Sequence, residues 1–328
     1  MKKPEINNTK EIKYSHISLV KSALKEIEYG TKASISNKTG LSVATCNTIL
    51  NELRRTGEAI EYGQEKFSGG RPAKQYIFNA DYQYLLCLHI APVSNGGSMT
   101  YTVSNLVGQV IETEQIRYHT MDYTHIERIV VDKARSMPLI QSVGIGLPGV
   151  VLDGTVIECT CFPELVNIPL KKRLEDKFNV FVDVRNDMSY IAYGFFNHYS
   201  HSPNNSSAYL YFPEHDLPGC GIIANDQILE GYTHFAGEVH YLADGNESII
   251  AQAVTFVNAI TAVMNPKTIA FAGSKIFEED LAQIKEGCMK TIPERHIAEL
   301  IYRDNIHVDY LRGLIDLTIE NYEKKRRC

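Results

Sequence analysis

The stretch TKASISNKTGLSVATCNTILNELRRT, residues 31–56, reads as two short helices around a glycine turn. Residues 32–39 make the first helix, and Gly40 can take the left-handed conformation that ends it. Ser42 stands where an N-cap belongs for a second helix over roughly 43–55. In that helix Cys46, Ile49, Leu50 and Leu53 recur at helical spacing and form an inward stripe. Thr45, Asn47, Thr48 and Asn51 fall largely outside it. Asparagine can pair with the edge of adenine, and threonine can offer a base its hydroxyl or its methyl, so this layout suits a helix that enters a major groove.

Working outward, Ile17, Val20, Leu24 and Ile27 predict an amphipathic helix over 16–29, ended by Gly30. On the other side, AIEYG (59–63) and KQYIFN (74–79) can pair as a hairpin around SGGRPAK, with Arg71 at its tip and Lys74 beside it. Glycines 69 and 70 would let that tip approach a phosphate backbone. The whole is a winged helix-turn-helix over 1–80. Its candidate DNA-binding residues are Ser42, Thr45, Asn47, Thr48, Asn51, Arg71 and Lys74. The polar face fits two descriptions on its own, because small three-helix packings also serve as protein-interaction modules with a solvated Thr/Asn surface.

Charge helps to choose between them. The chain of 328 residues carries a net −6, but residues 1–80 hold 13 Lys and Arg against 8 Asp and Glu, a surplus of +5. The remainder holds 20 against 31, or −11. A basic end on an acidic body suits a protein that presents one end to DNA, and chance unevenness of surface charge is the other reading. At 44% hydrophobic residues the chain can bury a sizeable core. Its apolar runs, such as YLLCLHIAPV (84–93), are too short to span a bilayer. The N-terminus has no apolar stretch of the kind a signal peptide needs. Seven scattered cysteines point to reduced thiols and a cytoplasmic location rather than a disulfide framework.

In the rest of the chain, GIGLPGVV (144–151), FPELVNIPL (162–170), VDVRNDMSYIAYG (182–194) and GYTHFAGEVHY (231–241) follow one another. In this order they resemble the ROK family of sugar-responsive repressors and sugar kinases. The head resembles that of its repressor branch, of the N-acetylglucosamine or xylose type. The resemblance covers roughly 16–275. It implies an α/β body of two lobes, actin-like or RNase H-like, with a ligand cleft between them. The first lobe would span 81–195, the second 196–307, and a last helix at about 308–325 would return to the first.

Carried over residue by residue, the resemblance places Asn167, Asn186, Asp187 and Glu238 at a sugar, with Asp187 in the position of the kinase base. Carboxylates and carboxamides pair well with vicinal hydroxyls, and a carboxylate beside a hydroxyl can take its proton. Each residue also has an ordinary reading: Asn-Asp after VDVR is commonly a helix cap, and Glu238 alone would pass as surface. Tyr241 stands where the family motif has a histidine, with His240 one place early. It either stacks on a sugar ring or fills the space.

The sequence departs from the kinase pattern at three places. CLHIAPVSNGG (87–97) puts His89 and Pro92 where an acidic, glycine-rich phosphate turn is expected. FPEHDLPGCGII (212–223) sets acidic residues and prolines into the second phosphate loop. NPKTIAFAGS (265–274) keeps only Gly273 of a glycine pair. No ATP is expected, because phosphoryl transfer depends on a phosphate cradle. The AGEVHYLADGNESIIAQAV segment lacks the cysteines of the family's zinc element. Cys159 and Cys161 form a lone C-x-C elsewhere, so no metal and no cofactor are expected. The implied protein is a DNA-binding regulator and not an enzyme. Its partners would be operator DNA and a sugar or sugar-derivative effector, it would form a homodimer or homotetramer, and it would not associate with a membrane. A sugar kinase and a non-sensing dimerisation scaffold are the alternatives.

Overall fold

The computed structural model describes residues 8–65, 73–200, 205–214 and 216–326. The chain divides into two compact units. One comprises Met1–Tyr84, Asn105–Gln109 and Arg326–Cys328, and the other Leu85–Ser104 and Val110–Lys325.

The smaller unit is made of α1 (Asn8–Glu26), β1 (Gly30–Thr31), α2 (Lys32–Thr39), α3 (Val43–Thr56), β2 (Ala59–Glu65) and β3 (Ala73–Phe78). The helices pack through Val20, Ala23, Leu24, Ile35, Cys46, Ile49, Leu50 and Leu53, all buried, against Tyr76 and Phe78 of the sheet. Strand order is β1-β3-β2, with β2 and β3 antiparallel and a bulge between Glu61 and Gly63. Caps mark the helix ends. Thr31 and Ser34 form a reciprocal capping box on α2. Gly40, at φ 73°, returns its amide to the Ser36 carbonyl at 2.9 Å.

The first helix differs from its predicted span of 16–29. It begins at Asn8 and stops at Glu26. Residues 11–15 are exposed, so they leave no apolar periodicity to read. The chain turns at 27–29 to deliver Gly30 into register with Tyr76. Ile27 still packs close by: a Cβ built on Gly30 would lie 2.5 Å from its Cδ1.

Buried Glu58 (4% exposed) ties this unit together by pairing with Lys21 of α1 and with Arg326. Burial pushes its carboxyl up, but the hydrogen bonds and charges of Lys21 and Arg326 outweigh burial and hold it below the usual range.

The larger unit carries β4 (Tyr84–Val93), β5 (Gly96–Asn105), β6 (Val110–Tyr118), α4 (Tyr123–Ser136), β7 (Ile140–Leu147), β8 (Val150–Leu152), β9 (Thr155–Glu158), α5 (Leu170–Phe178), β10 (Phe181–Asn186) and α6 (Asp187–Phe195). It continues with β11 (Ser207–Tyr211), β12 (Gly219–Ala224), β13 (Gln227–Ile228), α7 (Ile249–Met264), β14 (Thr268–Ala272), α8 (Asp280–Met289), β15 (Glu299–Tyr302) and α9 (Ile306–Lys325). These build two five-stranded sheets, β10-β7-β4-β5-β6 and β13-β12-β11-β14-β15, and a β8–β9 hairpin.

Helices α6 and α9 share one core with Cys87 of the first sheet and with Tyr209, Ile223, Ala270 and Ala272 of the second. They approach backbone to backbone: a Cβ on Gly194 would fall 1.9 Å from the Asp309 carbonyl oxygen, and one on Gly313 1.8 Å from that of Tyr190. Helices α7 and α8 pack through Phe256, Val257, Ile260, Ile284 and Cys288 in a second core with β11 and β14. Among the described residues no helix is long and apolar enough to cross a membrane.

Candidate functional site

In the smaller unit, α3 carries a polar face opposite its buried stripe. Ser42 Oγ accepts the Thr45 amide at 3.1 Å and bonds the Thr45 hydroxyl at 2.8 Å, so these two residues fix the start of the helix. Thr48 is exposed but donates its hydroxyl to the Ala44 carbonyl at 3.1 Å, leaving its methyl outward. Asn51 is exposed and reaches Asn47 Oδ1 only at 3.5 Å, a contact long enough to give way to a better partner. Lys74 is not a free cation. Its Nζ lies 2.9 Å from Glu61, which Arg54 also approaches at 3.3 Å. Arg71 lies outside the described residues.

In the larger unit a second set of polar groups gathers at the N-terminus of α6. The capping role is filled by Asn186. Its Oδ1 accepts the Met188 amide at 2.8 Å, and its Nδ2 donates to the Gly149 carbonyl at 2.8 Å. Its side chain is thus spent on positioning, and Asp187 follows as the first residue of the helix. Two glycines of β12 let that end of α6 lie on the second sheet. A Cβ on Gly221 would sit 2.1 Å from the Met188 carbonyl oxygen, and one on Gly219 would sit 3.2 Å from Met188 Cγ. On the same strand the Cys220 amide donates to the Gly237 carbonyl at 3.1 Å, which hangs Glu238 beside it.

The electrostatics follow from that assembly. Burial pushes the Asp187 carboxyl up to about 6, with the charges of Asp216 and Glu238 adding to it. Burial also raises Glu238, helped by Glu158 and opposed by His240, whose Nδ1 lies 3.5 Å from it. A site of crowded carboxylates accepts hydrogen bonds from hydroxyls and repels anions.

Asn167 and Tyr241 stand further out. Asn167 is exposed, in the left-handed region at φ 63°, and its amide donates to Val156 at 2.7 Å. Tyr241 is 68% exposed, tilted against His240 and Phe235 with ring centres 4.2 and 5.4 Å away.

Three residues the sequence reading did not place in the site complete it. Asp216 adds charge. Tyr310 of α9 is buried with its hydroxyl unpartnered, within the field of Asp187. His89 stands edge-on to Tyr310 at 4.1 Å, and burial, with His307 adding, pushes it down to about 3, so it is neutral. The residues do not fit a triphosphate. His89 offers an imidazole nitrogen where magnesium takes oxygen ligands, and the faces of Gly219 and Gly221 are taken up by the approach of α6. They do not fit a structural zinc either: among the described residues no group of three His, Cys, Asp or Glu could hold a metal ion.

The fold overlays those of solved α/β proteins. One is a ROK family transcriptional regulator described as a homolog of the E. coli MLC protein, with a TM-score of 0.72 and 17% identity over 96% of this chain and 98% of that one. Another is a ROK family glucokinase from Streptomyces griseus solved with glucose and AMPPNP, with a TM-score of 0.54 and 14% identity over 72% and 99%. The larger unit thus shares an α/β fold with these proteins. Residues 95–252 match the model of the ROK family. Among curated proteins it is similar to the xylose repressors of Bacillus subtilis (26% identity over 65% of this chain and 56% of that protein) and Caldicellulosiruptor bescii (29% over 64% and 53%). The matched region spans about half the length of those relatives.

Proposed function

We propose that this chain is a transcriptional repressor of sugar-utilisation genes, acting in the cytoplasm as a homodimer or homotetramer. Residues 1–80 would form a winged helix-turn-helix that binds operator DNA. The two-lobed body would bind a sugar and catalyse nothing. The observation that carries this reading is α3: a capped helix, apolar stripe inward, that presents Thr48 and Asn51 on the basic end of an acidic chain. Similarity to xylose repressors supports it.

Thr45, Asn47, Thr48 and Asn51 would face base edges, with Ser42 at the helix entry. Arg71 and Lys74 would lie along phosphates, Lys74 after giving up Glu61. In the body, Asp187 and Glu238 would accept sugar hydroxyls, and Asn186 would hold Asp187 in place. Asn167 and Tyr241 would border the ring. Twofold symmetry would place two heads on a pseudo-palindrome. The sugar can shift DNA affinity only by its preference for one arrangement of the body over another. Band-shift titration on DNA upstream of the chain's own gene, with and without D-xylose, tests this: salt-sensitive retention that D-xylose alters is the expected outcome.

A sugar kinase is the second reading, favoured by one observation. Asp187, pushed up to about 6, has the basicity of a residue able to take a hydroxyl proton near neutral pH. A coupled assay with ATP and a panel of hexoses and pentoses decides it. Turnover that Asp187→Asn abolishes would replace the repressor reading.

A further inference from the structure

The C-x-C pair remains unused by that function. Cys159 and Cys161 follow the end of β9, and their sulfurs lie 3.6 Å apart, within thiol hydrogen-bond distance. Closing a disulfide would need them to approach by roughly 1.5 Å, a side-chain rotation rather than a rearrangement of the fold. Cys159 lies against the turn that Asn186 grips: a Cβ built on Gly149 would be 3.1 Å from Cys159 Cβ.

The setting differs from that of the other cysteines. Cys46, Cys87, Cys220 and Cys288 are buried singly, whereas Cys159 is buried beside a second, partly exposed thiol. Burial pushes Cys87 and Cys220 up to about 12 and Cys288 up to about 11, so they stay protonated and inert. Cys159 is shifted the other way. The hydrogen bond it shares with Cys161 favours its thiolate, the backbone amides of Phe162 and Cys161 add to this, and burial and the Asp187 charge oppose it. Cys161 keeps the proton and is partly exposed. A thiolate with a neighbouring thiol is the arrangement that peroxides oxidise first. Cys328 lies outside the described residues.

We infer that Cys159 and Cys161 form a reversible dithiol site for hydroperoxides. The Cys159 thiolate attacks one peroxide oxygen. An S–O bond forms, the O–O bond breaks, and the other oxygen leaves as hydroxide or alkoxide. Cys161 then attacks the sulfenic sulfur. The S–S bond forms, the S–O bond breaks, and water leaves with the Cys161 proton. Two thiols have lost two electrons to one peroxide, and a small dithiol returns them.

The test treats the full chain carrying Cys328→Ser with increasing hydrogen peroxide, then denatures it, alkylates it and maps its peptides. The expected result is a peptide two hydrogens lighter, unlabelled at Cys159 and Cys161. It should form at least about tenfold faster than loss of labelling at Cys46, Cys87, Cys220 or Cys288, and dithiothreitol should reverse it. With Cys161→Ser added, Cys159 should instead be trapped by dimedone as its sulfenic acid. The inference is overturned if Cys159 and Cys161 remain fully alkylated at doses that oxidise Cys46, Cys87, Cys220 or Cys288. It is also overturned if dithiothreitol fails to restore them.

Discussion

The α3 face and the α6 terminus are built by opposite routes. The first is local: cap, stripe and polar face all lie within residues 42–56, and the helix needs only its own periodicity to present them. The second is assembled from a distance. Asp187, Glu238, Asp216 and Tyr310 come from four separate segments, and the close approach of Met188 to Gly219 and Gly221 brings the first two together. Charge is managed in opposite ways too. Carboxylates of the smaller unit are neutralised by cations, as Glu58 and Glu61 are, whereas those around Asp187 crowd one another. One region spends its acids on ion pairs, and the other leaves them to the sugar proposed above.

Substitutions can break that contrast, and Glu58→Ala should have the largest effect. It leaves Lys21 and Arg326 without their buried partner and should cost about 3–5 kcal/mol in urea unfolding. The folded Glu58 carboxyl titrates below its ordinary 4.5, so the unfolded chain takes up the proton first. Its contribution should therefore be whole above about pH 4.5 and disappear as pH falls through the folded value.

Asp187→Asn should do the reverse. Between the ordinary 3.8 and the folded value of about 6, the native chain holds a proton that the unfolded chain has lost. Asp187 therefore costs stability as pH rises through that window, and the cost is full above it. The substitution should raise stability at pH 7.5 by about 1–3 kcal/mol. It should also weaken sugar binding by roughly tenfold or more, since a hydrogen bond to a charged acceptor is lost. Calorimetry would read both. A variant less stable than the parent would refute this account of the site.

Smaller effects sharpen the other side. Asn47→Ala should relax sequence preference at one or two base pairs, at about 1–3 kcal/mol for the favoured operator, as read by binding to a randomised DNA library. Lys74→Ala should have the smallest effect, less than about threefold in DNA affinity at moderate salt, because Glu61 already shares its charge. Arg71→Ala should exceed it and weaken all sequences alike.

The same contrast explains what could be read in advance. The stripe Cys46, Ile49, Leu50 and Leu53, the Ser42 cap and the Gly40 turn follow from local rules, and the structure has each of them. The start of α1 did not follow, because residues 11–15 are exposed and carry no pattern. Asp187 and Glu238 were reached through motif resemblance. Asp216 was read only as an obstacle to phosphate, while Tyr310 lies more than a hundred residues from Asp187 with no local signal. The pairing of Lys74 with Glu61 has no local signal, because Glu61 belongs to the facing strand.

The most direct test of the central claim is the affinity of the intact chain for DNA upstream of its own gene, measured by fluorescence anisotropy across a salt series with and without D-xylose. The account predicts binding whose logarithm falls linearly with the logarithm of salt concentration, and whose strength the sugar changes in the parent but not in Asp187→Asn. Binding that is absent or insensitive to salt would contradict it.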